Sequence, residues 1–503
     1  MSLYLKVKKL DIGAGGEFDI IIHEKDSEKI GINEGEMVEM CWRDQVIYAS
    51  AKQSTTEVEE GEVGLFEEIW VANQIRNGEM VSIALLETPK SMEYIKKKII
   101  GHKLTQEELE VIMKDVGDKK LTEVEVAFLM STFFNPGFDE DETFWMAKAM
   151  ADSGDILSFE NIRNNGKIVV DKHSLGGIAG KAATPIIVPI LASCNLVVPN
   201  TSTRAITTPA GTSDILETVM PVNLKVEEIK EVVKKVGACM VWGGALDLAP
   251  ADDVIIHAER GLHLESFQKV LVSIVAKKIS MGITHIVIDI PQGRGTKVQN
   301  VEDAVMLKNE FIKLFEKVGI ICEVYSRVAK GPDGVGIGPM MEMKETLKIL
   351  ERKADRSSHL ENIATDMAGI VLEMVGKAEK GQGKSLAISK LNSNEALKKF
   401  WEIARAQGAQ TEVLSENIEL APITYDVVAD REGIVDMINN REIVKIAHSL
   451  GTPNIKQAGL YMHKMPGDEV KKGDILFTMY SMSTSRLEYA KGSVDLSLLY
   501  SFV

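Results

Sequence analysis

The stretch from Ile168 to Gly177 constrains this chain more than any other. Ile168 to Asp171 read as a short apolar strand, and Lys172-His173-Ser174 with Gly176-Gly177 read as a loop. The small residues from Ile178 to Ala183 read as the start of a helix. An ammonium, a hydroxyl and unpaired backbone N–H groups then meet at one point, which is the composition of an anion cradle. The glycines let the backbone approach a phosphate closely and take φ > 0.

Two further segments repeat the logic. Asn195 to Val198 read as a strand running into a loop rich in Thr and Ser, from Thr201 to Asp214, with Arg204 inside it. Asp214 and Glu217 look like a weak capping box at the start of the next helix. Ile283 to Ile290 form an apolar run of strand length that leads into Pro291-Gln292-Gly293-Arg294-Gly295-Thr296-Lys297. Taken singly, a Gly-Gly pair also makes a tight turn, a Thr run a plain loop and a basic loop a solvated turn. Together they point to one crevice, because loops at the carboxyl ends of strands converge in an open α/β sheet.

At 503 residues several domains are expected. The net charge of −16 argues against nucleic acid or an anionic membrane as the partner. An acidic phosphate-binding protein must gather its positive charge locally, as these loops do. Cys41, Cys194, Cys239 and Cys322 are scattered and read as reduced thiols of a cytoplasmic protein. No His or Cys spacing suits a transition metal, so neither metal nor cofactor is expected. The start of the chain lacks the arrangement of a signal peptide.

The fold class expected is α/β, with a small all-α domain, a large α/β domain with a mainly parallel sheet, an N-terminal β-rich domain and a C-terminal α+β subdomain. Residues 1–86 alternate in short runs separated by turns at Gly31–Gly35, Gly61–Gly64 and Asn77-Gly78 and read as a small barrel used for assembly. Residues 87–160 read as helical, with capping boxes at Thr105/Glu108 and Thr122/Glu125. Residues 161–424 alternate strand and helix and carry the phosphate and nucleotide loops. Residues 425–503 mix both types, with Gly451 to Met465 irregular.

Lys172-His173-Ser174-x-Gly176-Gly177, Arg204 with Ala210-Gly211-Thr212-Ser213-Asp214 and Glu217, Leu248-Ala249-Pro250-Ala251-Asp252, Lys277-Lys278 and Gly336-Ile337-Gly338-Pro339 occur in this order. Together they resemble the thymidine/pyrimidine-nucleoside phosphorylase family over nearly the whole chain. The extra N-terminal stretch is similar to that of members acting on nucleoside 5′-monophosphates. The resemblance implies phosphorolysis of AMP to adenine and ribose 1,5-bisphosphate, with inorganic phosphate and a nucleoside 5′-monophosphate as ligands. It also implies a homo-oligomer, a dimer or larger, built through the N-terminal region, and a helix near 267–281 that returns to the α domain. A nucleoside phosphorylase and, further off, an anthranilate-type phosphoribosyltransferase are the alternatives.

By the same resemblance, Lys172, Ser174, Ser202 and Thr212 line the phosphate site. Gly177, Thr203, Arg204, Ala205, Ile206, Thr207, Thr208 and Thr212 hold the nucleotide, with Ser273 and Lys297 at its base. Glu265 stands where the family carries an acidic proton donor, usually Asp, and Asp252 or His263 is the alternative. The family's hydroxyl after the Gly-Gly loop is missing, since Ala182-Ala183 stand there and Thr184 is the nearest substitute.

Overall fold

The computed structural model of the chain describes residues 2–15, 18–157, 159, 166–205, 208–246, 248–262 and 266–503. They pack as two compact units, Met1–Asp155 with Asp247–Ser280, and Ile156–Leu246 with Met281–Val503.

In the first unit, β1 (Ser2–Lys9), β2 (Asp19–His23), β3 (Met37–Trp42), β4 (Gln45–Ser54), β5 (Glu62–Leu65) and β6 (Met80–Leu85) close into a barrel in the order β1-β5-β2-β4-β3-β6. Alternate residues such as Leu5, Val7, Val38, Met40, Val81 and Ile83 fill its core, as the two-residue period of a strand requires. Closure leaves no open sheet edge. Gly64, expected at a turn, lies inside β5; a Cβ there would come 2.8 Å from Leu10 Cδ1, so packing is what demands the glycine.

Four helices follow, Lys90–Ile99, Gln106–Gly117, Glu123–Thr132 and Glu140–Asp152. Both expected capping boxes form, and Asp139 with Glu142 makes a third. Glu142 also takes a buried ion pair from Lys98 at 2.7 Å. The helices Pro250–Leu262 and Phe267–Ser280 pack into this bundle, the first on Gln106–Gly117 and Glu123–Thr132, the second on Glu140–Asp152.

In the second unit, β7 (Val170–Ser174), β8 (Val198–Ser202), β9 (Ala238–Trp242), β10 (His285–Gln292) and β11 (Ile321–Val328) are parallel. The sheets β11-β10-β7 and β8-β9 are joined by the parallel bridge Val169–Val197. The chain thus moves outward from β7 to β8 and β9, then returns to the other side for β10 and β11. That reversal is the switch point where open α/β sheets bind ligands.

Several local expectations are corrected here. Lys172, His173 and Ser174 belong to strand β7, because pairing with β10 runs on to Ser174 opposite Asp289. Thr201 and Ser202 likewise lie in β8, which starts at Val198; Asn195 takes a left-handed φ of 60° ahead of it. Residues 178–183 are not helical, and the helix is Thr184–Ser193. Gly180, at φ +65° and with Gly334 O 2.7 Å from where a Cβ would stand, delays it. Asp214 does not cap a helix from outside. It sits in the third position of the helix Thr212–Leu216 and accepts the Gly211 N–H at 2.8 Å, while Glu217 lies beyond the end.

Strand and helix alternate only as far as β11, rather than to residue 424. The helices Pro339–Leu350, Ser358–Met374, Gly383–Asn392 and Glu395–Ala406 then succeed one another with no full strand between and build the large apolar core over the sheet. The two-residue strand β12 (Gly336–Ile337) pairs instead with the C-terminal part. There β13 (Ile423–Val428), β14 (Gly433–Ile438), β15 (Gly459–Met462), β16 (Glu469–Val470), β17 (Ile475–Ser481) and β18 (Tyr500–Phe502) form two antiparallel sheets around the helix Asn440–Leu450. β15 lies in the stretch expected to be irregular. It pairs on one side with β12, far back in the sequence, and on the other with β17, the next long strand.

Candidate active site

The carboxyl ends of β7, β10 and β11 bring together a compact group of charges. Lys172 and Ser174, two apart on β7, share one face of the sheet. The Ser174 hydroxyl donates to Asp289 Oδ2 at 2.6 Å, and the Lys181 ammonium donates to Ser174 Oγ and stands 3.2 Å from Asp289 Oδ2. Arg327, near the end of β11, reaches Asp289 at 2.9 Å and forks onto both oxygens of Asp333 at 2.8 and 2.7 Å. Burial alone would raise the Asp289 pKa; the Lys181 and Arg327 charges outweigh it and hold the carboxyl well below the usual range. Burial lowers the Lys181 pKa, with Asp289 opposing.

The Gly-rich loops after β7 and β10 meet at this edge. Gly176 and Gly177 have φ of +84° and +80°, and a Cβ on Gly177 would stand 2.9 Å from the Lys297 backbone nitrogen. The first and third expected loops are therefore in contact, and Lys297 lies against Gly176-Gly177. The C-terminal region braces both. Buried Asn440 accepts the Ala179 N–H at 3.0 Å, and a Cβ on Gly295 would meet Asn439 Oδ1 at 2.9 Å.

Behind the loop, Glu342 is buried, accepts the Gly338 N–H at 3.2 Å, and leaves its other oxygen without a partner. Burial pushes its carboxyl up to about 8.

The second loop leaves the end of β8. Ser202 Oγ shares a 2.8 Å hydrogen bond with Ser213 Oγ, and the Ala205 N–H donates to Asp214 at 2.7 Å. Thr203 accepts the Ser213 N–H through its carbonyl, Thr208 donates to the Ala210 carbonyl, and Thr212 opens the short helix. Arg204 does not offer an unmatched charge. Its guanidinium forks onto Glu217 at 2.9 and 2.7 Å and lies over the Trp242 ring. The Arg204 hydrogen bonds and the Lys456 charge bring the Glu217 carboxyl down to about 2.

Ser273 and Lys297 belong to different units. In the first unit, the Ser273 hydroxyl donates to Asp252 Oδ2 at 2.7 Å, Lys277 reaches the same oxygen at 2.8 Å, and Lys269 stands 3.7 Å from the other. Asp252 is fully buried; burial would raise its pKa, but Lys277 and Lys269 bring it to about 2. A carboxyl so held is ionised at neutral pH and is an acceptor rather than a proton donor. Glu265, His263, Ile206 and Thr207 lie outside the described residues.

Sequence reasoning missed Lys181, Asp289, Arg327, Asp333 and Asn440. One signal was legible: Asp289 interrupts the otherwise apolar strand Ile286–Ile290, and an ionisable group on a buried strand needs a partner.

Residues 92–154 match a glycosyl transferase family helical bundle domain, residues 166–319 a glycosyl transferase family a/b domain, and residues 434–500 a pyrimidine nucleoside phosphorylase C-terminal domain. The chain is 41% identical over 485 residues to the AMP phosphorylase of Pyrococcus furiosus, covering 96% of this chain and 95% of that protein. It is 39% identical over 488 residues to the AMP phosphorylase of Methanocaldococcus jannaschii, covering 97% and 95%. Among solved structures, the anthranilate phosphoribosyltransferase of Saccharomyces cerevisiae superposes with a TM-score of 0.49 at 12% identity, covering 63% of this chain and 97% of that one.

Proposed function

The chain belongs to the AMP phosphorylase family, and from that premise we propose that it cleaves AMP with inorganic phosphate to adenine and ribose 1,5-bisphosphate. The observation that carries the reading is the contact of the Gly176-Gly177 loop with the Lys297 loop at the switch point of the sheet, beside Lys172 and Ser174. Parallel strands aim their carboxyl ends there, and two left-handed glycines leave room for a phosphate against the backbone.

In this reading a phosphate oxygen forms a bond to the anomeric carbon while the glycosidic C–N bond breaks. The electron pair leaves with the base, and a proton is delivered to a base nitrogen. Lys172, Ser174, Ser202 and Thr212 hold the attacking phosphate. Gly177, the segment from Thr203 to Thr208, Ser273 and Lys297 hold the nucleotide. Glu265 protonates the base, a step typically worth ~10²–10⁴-fold in rate. Ionised Asp252 instead orients Ser273 and Lys277. Arg204 takes the 5′-phosphate. Lys456 gives Glu217 a second cation, at 2.8 Å, so the guanidinium can turn to an incoming phosphate without leaving that carboxylate bare. A homo-oligomer built through residues 1–86 belongs to the same reading, and sedimentation of the full chain tests it.

The decisive experiment is turnover with and without phosphate on AMP, CMP, UMP, adenosine and thymidine. AMP is expected to exceed adenosine by more than tenfold in kcat/KM, or over ~1.4 kcal/mol of transition-state binding. Turnover without phosphate, equal rates on AMP and adenosine, or a preference for thymidine overturns the reading.

A further inference from the structure

We propose that Lys181 is a ligand of the inorganic phosphate, the cation that takes the place of a hydroxyl in the segment after the Gly176-Gly177 loop. The inference rests on the phosphorolytic reading and deepens it at one residue.

Three observations carry it. First, Ser174, the hydroxyl nearest the loop, has committed its proton: it donates to Asp289 Oδ2 at 2.6 Å. A hydroxyl has one proton to give, so while that bond stands Ser174 meets the phosphate only by accepting the anion's own O–H, and a donor is needed beside it. Second, the two residues following Lys181 are buried alanines, Ala182 and Ala183, whose methyl side chains offer nothing to an anion. Thr184, the nearest hydroxyl in sequence, is buried at the first turn of the helix Thr184–Ser193. Third, Lys181 delivers its ammonium to this spot. It donates to Ser174 Oγ and stands 3.2 Å from Asp289 Oδ2, with 14% of its side chain exposed. An ammonium carries three N–H donors, and these two partners account for two of them.

The balance of charge favours the same assignment. Asp289 and Asp333 are already served by the Arg327 guanidinium, which reaches both. Lys181 is thus not the sole counter-ion of Asp289. Charge-assisted hydrogen bonds to a phosphate are stronger than neutral ones, and an ammonium with little water around it makes them well. The lysine is held on a strand-end serine and a strand aspartate rather than waving from a loop, so it is preorganised for a ligand.

The test is steady-state kinetics of the full chain with phosphate and AMP varied in turn. Lys181→Met is expected to raise KM for phosphate at least tenfold while changing KM for AMP less than threefold. Lys181→Arg, which keeps the charge, is expected to stay within threefold of the wild type in both. The rise in melting temperature that phosphate alone gives the wild-type protein should vanish in Lys181→Met. Should that variant fail to fold, Lys181→Gln, with similar length and polarity, is expected to show the same tenfold rise. An unchanged KM for phosphate in the folded neutral variant overturns the proposal. So does a rise confined to AMP, which would assign the lysine to the 5′-phosphate. A wild-type enzyme that needs no phosphate would instead remove the underlying reading, and the two failures are told apart by the wild-type assay.

Discussion

Glu342 shows how a single buried carboxyl can set the pH response of the fold. Its ordinary value is 4.5, and burial together with the nearby Asp333 and Asp214 carboxylates holds it at about 8. Between those values the folded chain keeps a proton that the unfolded chain has released. Its contribution to stability is therefore full below about 4.5 and is lost as pH rises toward about 8. Glu342→Gln, neutral throughout, should remove that decline, a difference of roughly 1–4 kcal/mol in the unfolding free energies that urea titrations give at pH 5 and pH 8. The same pH dependence in both proteins would refute the assignment. The residues hardest to read from sequence are of this kind. Lys181, Asp289, Arg327 and Asp333 meet only because β7, β10 and β11 are neighbours, and nothing local in the chain pairs Asp289 with Arg327. Ser174 and Lys172 were legible because a Lys-His-Ser run beside two glycines is chemically unusual at the end of an apolar strand. The Arg204–Glu217 fork was within reach of sequence reasoning, since both residues flank one short helix, but Glu217 read as a helix cap instead.

At the scale of elements, the sequence is most legible where hydrogen bonds close over three or four residues. Thr105/Glu108 and Thr122/Glu125 each satisfy two backbone donors at a helix start, and both boxes form where expected. Strand limits were less legible, because β7 and β8 extend by pairing with β10 and β9 rather than by their own apolarity. The two loop glycines give an element-scale prediction. Both have left-handed φ, so alanine costs each about 1–2 kcal/mol. They differ in surroundings: a Cβ at 176 finds only the Lys297 Cε at 4.0 Å, while one at 177 strikes the Lys297 backbone at 2.9 Å. Gly177→Ala should therefore lower kcat/KM by more than tenfold and Gly176→Ala by much less, with both chains folded by circular dichroism. Equal losses would mean that the contact between the loops has no part in turnover.

At the scale of the whole molecule, the barrel and the bundle differ in how their cores are assembled. The barrel buries Leu5, Ile20, Met40, Val63 and Ile83 with residues from one continuous stretch. A fragment of residues 1–88 should fold alone and unfold cooperatively in urea. The bundle draws on two separate stretches, since Pro250–Leu262 and Phe267–Ser280 cover Gln106–Gly117, Glu123–Thr132 and Glu140–Asp152. A chain ending at residue 246 should retain the barrel but lose the bundle's fixed packing, seen as collapsed dispersion of its helical methyl resonances. A fully dispersed spectrum for that fragment would contradict the argument. This interrupted order also bears on the chain while the ribosome is still making it. Translation proceeds at ~5–20 residues per second, so the apolar faces of the first helices wait roughly 6–30 s for their covering helices to be synthesised. The residues of the barrel core are all made by then, so the nascent chain carries a module able to close ahead of an open one that chaperones can occupy.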